Sequence, residues 1–181
     1  MKKLLIATSV AAVAAASFAF YGLNSGLAVG ERVTPYHPSH VSGPLAGTAN
    51  CFPCTFQNRP QVQVWVNGDD HKNILAIAKT LEGAMKSNKE FKALITFVTS
   101  DVAGTKAKVA EAVKMSGMKT VGMAVIDKND GAVKAYKINT DAGVKNTVFV
   151  YKDWTVTAKS VNVSGDKGVA WLSGEIAKIA K

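Results

Sequence analysis

From Pro60 onward, hydrophobic and polar positions show two periodicities, one typical of strands and one typical of helices. Val62, Val64 and Val66 occupy every second position, which predicts a strand. Elsewhere apolar residues recur at the three- and four-residue spacing of amphipathic helices. The pattern predicts strands at 62–66, 94–98, 121–126, 147–151 and 155–160, the last two forming a hairpin around residues 152–154.

Three long helices are predicted between and after these strands. The first is capped by Asp69 or Asp70, the second is capped by Thr105 and closed by Gly117, and the third begins at about Asp166. Their inward stripes are Ile74, Leu75, Ala78, Leu81 and Met85, then Val109, Ala110 and Val113, then Val169, Leu172, Ile176 and Ile179. Right-handed strand–helix–strand crossovers imply parallel strands, and the hairpin adds antiparallel ones. We therefore predict an α/β fold, a mixed sheet with helices on both faces.

Residues 1–19 have the pattern of a signal peptide. A positive start at Met1–Lys3 precedes the uncharged apolar run Leu4–Ala16, and Ser17–Ala19 places small residues at positions −3 and −1 of a cleavage site. This predicts cleavage after Ala19, a periplasmic or secreted protein, and no membrane span after cleavage. The alternative is an uncleaved membrane anchor from Leu4 to about Leu23.

Residues 20–60 are rich in Gly, Pro, Ser and Thr and show no periodicity. They are predicted to form an irregular N-terminal arm, which carries both cysteines, and residues 61–181 are predicted to form the folded domain.

The 181 residues carry a formal net charge of +9, yet only 19% are charged and 48% are hydrophobic. This composition excludes a disordered chain and favours one packed domain. Lysines are scattered rather than clustered with aromatic residues, so no nucleic-acid partner is expected. We see no Ser-His-Asp arrangement, phosphate-cradling glycine loop or metalloprotease motif, and we expect a monomer.

Several strand-end motifs occur in the order found in thioredoxin-like proteins. Through them, the chain from about residue 60 to 181 resembles the thioredoxin superfamily, especially its peroxiredoxin-like branch. The motifs are Thr99-Ser100-Asp101, Val125-Ile126-Asp127, Ala135-Tyr136-Lys137-Ile138 and Thr147-Val148-Phe149-Val150-Tyr151.

This resemblance implies a reactive cysteine directly after the first strand, at the start of the first long helix. Here that position is Asn67-Gly68-Asp69-Asp70-His71, without cysteine. The resemblance also implies a cis-proline just before the hairpin, where this chain has Gly143-Val144-Lys145-Asn146-Thr147. We therefore expect no standard peroxiredoxin catalysis at this end of the sheet.

Both cysteines belong to Cys51-Phe52-Pro53-Cys54, a C-x-x-C motif. Three interpretations remain open: a static disulfide that braces the arm, a redox-active dithiol, and a copper or zinc site completed by His37 and His40. The motif precedes the first strand, whereas sites in open α/β sheets form at the opposite, carboxyl ends of the strands. Eight extended residues span about 27 Å, so the segment could fold back along the strand.

The front of the arm carries a second resemblance. His40-Val41-Ser42-Gly43-Pro44, Gly47-Thr48, the C-x-x-C motif and Arg59-Pro60 resemble exported bacterial thioredoxin-like proteins of unknown function. The resemblance implies that the arm and its cysteines form one functional unit.

The main functional prediction is thiol–disulfide exchange with a protein partner through Cys51 and Cys54, without a cofactor. Cys51 is expected to be the exposed, attacking thiol and Cys54 the resolving one, with a protonated His40 stabilising the Cys51 thiolate. The alternative is a non-catalytic protein that binds copper, zinc or a protein partner and has a structural disulfide.

Overall fold

The computed structural model describes residues 23–180. The predicted strands and helices form a six-stranded mixed sheet flanked by helices. In chain order the elements are β1 (Ser39–Ser42), α1 (Phe52–Phe56), β2 (Gln61–Val66), α2 (His71–Ser87), β3 (Lys92–Thr99), α3 (Val102–Ser116), β4 (Gly122–Asp127), α4 (Gly131–Ala135), β5 (Asn146–Lys152), β6 (Thr155–Val161) and α5 (Gly165–Ile179).

The strands lie in the order β1-β4-β3-β2-β5-β6. Strands β2, β3 and β4 are parallel, and the other three pair antiparallel with their neighbours. The β2-α2-β3 and β3-α3-β4 connections step in the same direction across the sheet, and right-handed connections of this kind place their helices on one face. Helix α5 packs on that face too, against α2 and β5.

A hydrophobic core lies on each face of the sheet. Under the three long helices, the β2 valines pack with Leu81 of α2 and Leu172 of α5. The other face is covered by the N-terminal arm and the short helices α1 and α4, which contribute Tyr36, Phe52 and Val133. The predicted mixed sheet with helices on both faces is therefore confirmed.

The N-terminal arm, described from residue 23, differs from the irregular segment that the sequence predicts. It contains α1 and the edge strand β1, and Leu27 and Val33 are buried against the sheet. Strand β1 shows no hydrophobic alternation because its buried positions are the polar residues His40 and Ser42. The predicted signal peptide lies outside the described residues, and within residues 23–180 no helix is long and apolar enough to cross a membrane.

Helix α3 begins earlier than predicted. Its cap is Asp101, whose Oδ1 accepts the N–H of Gly104 at 2.9 Å, whereas Thr105 lies inside the helix and bonds Oγ1 of Thr99 at 3.1 Å. Asp101 rather than Thr105 caps the helix because its carboxylate lies where it can accept the free N–H groups of the first turn. Ala110, predicted to face inward, is exposed, and Gly117 ends the helix as predicted, in a left-handed conformation.

Candidate functional site

The C-x-x-C motif forms a disulfide at the start of helix α1. Cys51 and Cys54 are bonded, with their Cα atoms 5.2 Å apart. Cys51 is the N-cap of the helix, and its Sγ accepts the backbone N–H of Cys54 at 3.2 Å. Pro53 fits the first turn because its missing N–H has no partner to lose there. One sulfur of the pair is therefore held by a backbone donor.

The two cysteines differ in exposure, in the sense opposite to the prediction. Cys51 is buried, with 6% of its surface exposed, whereas Cys54 is exposed. The expectation that Cys51 is the accessible cysteine is wrong. Cys51 lies at the buried start of α1, and Cys54 lies on the exposed side of the helix. A partner approaching from solvent meets Cys54 first.

Two aromatic side chains anchor α1 to the sheet. Phe52 and Phe56 are buried with their ring centroids 4.8 Å apart, and the ammonium of Lys92 lies 5.6 Å from the Phe56 centroid. A Cβ built on Gly122 would lie 3.7 Å from the Phe52 ring. Since Lys92 and Gly122 begin β3 and β4, the disulfide lies at the amino ends of the parallel strands, and the segment does not fold back along β2.

A buried polar network supports the end of α1, and sequence reasoning missed it. The side-chain amide of Gln61 donates to the carbonyl of Gln57, where α1 ends, at 2.8 Å. The Tyr151 hydroxyl donates to Oε1 of Gln61 at 2.7 Å, and the Gln63 amide donates to that hydroxyl at 2.7 Å. Buried glutamines at alternate strand positions were the available signal, because buried amides need specific partners.

His40 is buried close to the motif in the chain, and it is bound to backbone. Its Nε2 bonds the carbonyl oxygen of Asn50 at 2.9 Å, and its ring stacks on Phe52 with centroids 6.5 Å apart. Burial lowers the pKa of His40, and the bond to Asn50 only partly opposes this. This shift disfavours the protonated imidazole expected from the sequence beside Cys51. The role of His40 is to fix the backbone that precedes Cys51.

The predicted metal ligands do not converge. The sulfurs of Cys51 and Cys54 are bonded to each other, and Nδ1 of exposed His37 bonds the Ala49 carbonyl at 3.0 Å. Within residues 23–180, no three His, Cys, Asp or Glu side chains are grouped so as to hold a metal ion. The geometry gives the copper or zinc interpretation no support.

At the opposite end of the sheet, the position that holds the reactive cysteine in the resembled family is closed by a carboxamide network. The Asn146 amide donates to Oδ2 of Asp69 at 2.6 Å, and its Oδ1 accepts the N–H of Val163 at 2.9 Å. Asn73 donates to the same Asp69 oxygen at 2.8 Å. No peptide bond among the described residues is cis. Asn146 therefore occupies the proline position in a tight structural junction.

Comparisons with known proteins support the fold. No family model matches the chain, and no curated protein matches it. Among solved structures, a putative protein disulfide isomerase from Bacteroides thetaiotaomicron superposes with a TM-score of 0.62 at 14% identity, covering 87% of this chain and 94% of that one. The thioredoxin domain of a thiol-disulfide oxidoreductase from Bacteroides vulgatus gives 0.62 at 14% identity, covering 86% and 99%.

Peroxiredoxin-like structures also superpose on the chain. A PrxQ variant from Xylella fastidiosa gives a TM-score of 0.59 at 13% identity, covering 87% of this chain and 100% of that one. These superpositions cover most of the chain and support the fold described above. The chain has a thioredoxin-like fold, with its C-x-x-C disulfide at the amino ends of the parallel strands.

Proposed function

We propose that this protein exchanges disulfides with protein dithiols through Cys51 and Cys54, as a monomer acting outside the cytoplasm after signal-peptide cleavage. The observation that carries the proposal is the asymmetry of the pair. Cys54 is exposed to a partner, and buried Cys51 has its sulfur hydrogen-bonded by an N–H at the start of a helix. A disulfide that only braced the arm would need neither feature.

The asymmetry gives each sulfur a separate role. A partner thiolate attacks Sγ of Cys54, and the Cys51–Cys54 bond breaks with its electron pair moving to Sγ of Cys51. The N–H of Cys54 stabilises the resulting thiolate, which makes Cys51 a good leaving group. The partner is then joined to Cys54 through a mixed disulfide.

The second half of the exchange releases the partner. Its other thiolate attacks its own sulfur in the mixed disulfide, and Cys54 leaves as a thiolate. The partner dithiol has lost two electrons and two protons and becomes a disulfide, while Cys51 and Cys54 gain them and become a dithiol. In the reverse direction Cys54 attacks a partner disulfide and Cys51 resolves the intermediate.

Single-cysteine variants test this assignment with a disulfide-bonded peptide as probe. Cys51→Ser leaves Cys54 without its resolving partner, so it should accumulate a mixed disulfide with the peptide at least tenfold faster than Cys54→Ser, which retains only the buried sulfur. Intact mass spectrometry measures the adduct. The Cys51→Ser/Cys54→Ser variant is the control and should form none.

The reduction potential of the wild-type pair, measured against glutathione, provides an independent test. Exchange-active pairs lie above about −300 mV, whereas structural disulfides lie below that value. A lower potential together with no adduct in either variant would leave the Cys51–Cys54 bond as a structural brace. Equal adduct rates in the two variants would refute the separate roles of the sulfurs.

A further inference from the structure

An open groove of about 580 Å³ lies between helices α2 and α3, on the face of the sheet opposite the one that α1 covers. Its floor is formed by the side chains of Val66, Phe97 and Met123 on the three parallel strands. This volume lies within the range of small-molecule sites, about 300–1,000 Å³. The groove shares no residue with the Cys51–Cys54 site.

The groove lies between two helices that pack on different parts of the sheet. Neighbouring strands lie about 4.8 Å apart, whereas packed helices need about 8–10 Å. Helix α2 packs against β3 and α5, and α3 is displaced towards β4 and the edge strand β1. The sheet between the two helices therefore stays partly uncovered, and Phe97, on a central strand, is only half-buried.

The walls are apolar and their side chains are short where the groove is open. Helix α2 contributes Ile74, Leu75 and Ala78, and α3 contributes Val109 and Ala112. These positions follow helical three- and four-residue spacing, so they share the face of each helix that borders the opening. On α3 that face also carries Thr105 and Ser116. Half-buried Ile74 and Leu75 leave hydrocarbon surface available to a ligand.

The rim carries a cation without an acidic partner. Lys108 lines the groove from α3, and among residues 23–180 it makes no hydrogen bond or ion pair. The one carboxylate in the lining, Asp69, already accepts hydrogen bonds from the side chains of Asn73 and Asn146 and from the N–H of Asp70. These neutral donors leave the negative charge of Asp69 in place, but no ion pair joins it to Lys108, so the Lys108 ammonium stays available to an anionic head group.

We propose that this groove binds a free long-chain carboxylic acid, with its hydrocarbon chain on the apolar floor and its carboxylate at Lys108. The apolar walls match an unbranched chain, and the uncompensated ammonium matches a single anionic head group. This binding function is separate from disulfide exchange.

Calorimetric titration with dodecanoate, below its micellar concentration, tests the proposal on the full mature chain. Across octanoate, decanoate and dodecanoate, each added pair of methylenes should lower Kd several-fold, because each buried methylene contributes. Lys108→Gln should raise the Kd for dodecanoate at least fivefold and leave that for dodecanol unchanged. Lys106→Gln, an equal charge change on an exposed α3 position outside the groove, should leave both unchanged.

A second pair of variants tests the hydrocarbon part of the site. Ala112→Phe fills the opening and should weaken dodecanoate at least tenfold, whereas Ala110→Phe, on an exposed position away from the groove, should not. No heat and no chain-length dependence with dodecanoate would overturn the proposal. Equal weakening by Lys106→Gln and Lys108→Gln would reduce the effect to general charge attraction, and a stable dimer that excludes dodecanoate would make the groove a self-association surface.

Discussion

At the Cys51–Cys54 pair, exposure and hydrogen bonding divide the chemistry between two residues that the motif alone does not distinguish. Cys51 lies under the surface, where it caps α1, and Cys54 lies on it. The usual order, in which the first cysteine of the motif is the accessible one, therefore fails here. Which sulfur meets a partner depends on the path of the preceding backbone, which His40 holds through Asn50.

Glu82 is a buried carboxylate whose hydrogen bonds join helix α2 to a loop. It is 5% exposed, and its carboxylate accepts the N–H groups of Lys119, Thr120 and Val121 at 3.2, 3.0 and 2.8 Å. Burial by itself raises the pKa of Glu82, but these donors outweigh it and lower the pKa to about 2. One α2 side chain thus fixes the loop that leads from α3 into β4.

The low pKa of Glu82 predicts an acid-dependent loss of stability. Folding lowers the pKa of the Glu82 carboxyl from about 4.5 to about 2. The resulting stabilisation is complete above pH 4.5 and is lost as the pH falls towards 2. The shift corresponds to about 3 kcal/mol. We expect Glu82→Gln to lower the free energy of unfolding at pH 7 by about 2–3 kcal/mol and to flatten its slope between pH 4.5 and 2.

Urea unfolding across this pH range measures the effect. Glu90→Gln is the matched control, because Glu90 is an exposed residue in a surface pair with Arg59. It should change the unfolding free energy by less than about 0.5 kcal/mol. Equal slopes for wild type and Glu82→Gln would contradict the assignment.

At the scale of elements, helix α3 is the least firmly packed of the long helices. Val109 is its one buried residue among those described, whereas α2 buries five. Its position therefore depends on its ends, where Asp101 caps the start and Gly117 closes the last turn.

The cap predicts unequal effects of two substitutions. Asp101→Ala removes the acceptor for the N–H of Gly104 and should lower the free energy of unfolding by about 1 kcal/mol. Thr105→Ala removes a hydroxyl contact with Thr99 inside the helix and should cost clearly less. Chemical denaturation of both variants decides the matter, and a larger loss for Thr105→Ala would restore the cap predicted from the sequence.

At the scale of the whole molecule, the N-terminal arm is part of the domain. It covers the sheet face that carries Trp65, Phe149 and Tyr151, all fully buried. Tyr36 from the arm packs against Trp65 with ring centroids 5.0 Å apart, and its hydroxyl bonds that of Thr96 at 3.2 Å. Without the arm this aromatic surface would face water.

We therefore expect a chain shortened to begin at Pro60 to lose its cooperative fold. The exposed aromatic face removes a large hydrophobic contribution to stability and favours aggregation. Near-ultraviolet circular dichroism and thermal unfolding measure the loss, with a chain beginning at Leu23 as the folded control. A sharp unfolding transition in the shorter chain would show that residues 61–181 fold as an independent domain.

The sequence by itself determined the main elements and their order. The valines of β2, the stripe of α2 and the hairpin around Asp153 are local patterns, and local patterns report which face of an element is buried. The same reading located the cysteine pair and showed that residues 67–71 contain no thiol. Those conclusions depend on residue identity and spacing alone.

Only the tertiary structure decided how distant segments meet. That β1 joins β4, that Cys51 is buried while Cys54 is exposed, and that Asn146 closes on Asp69 all depend on contacts between residues far apart in the chain. The groove beside Lys108 depends on the spacing of two helices over three strands. Burial and polar pairing of this kind arise when surfaces assemble, so a linear pattern of hydrophobic positions does not contain them.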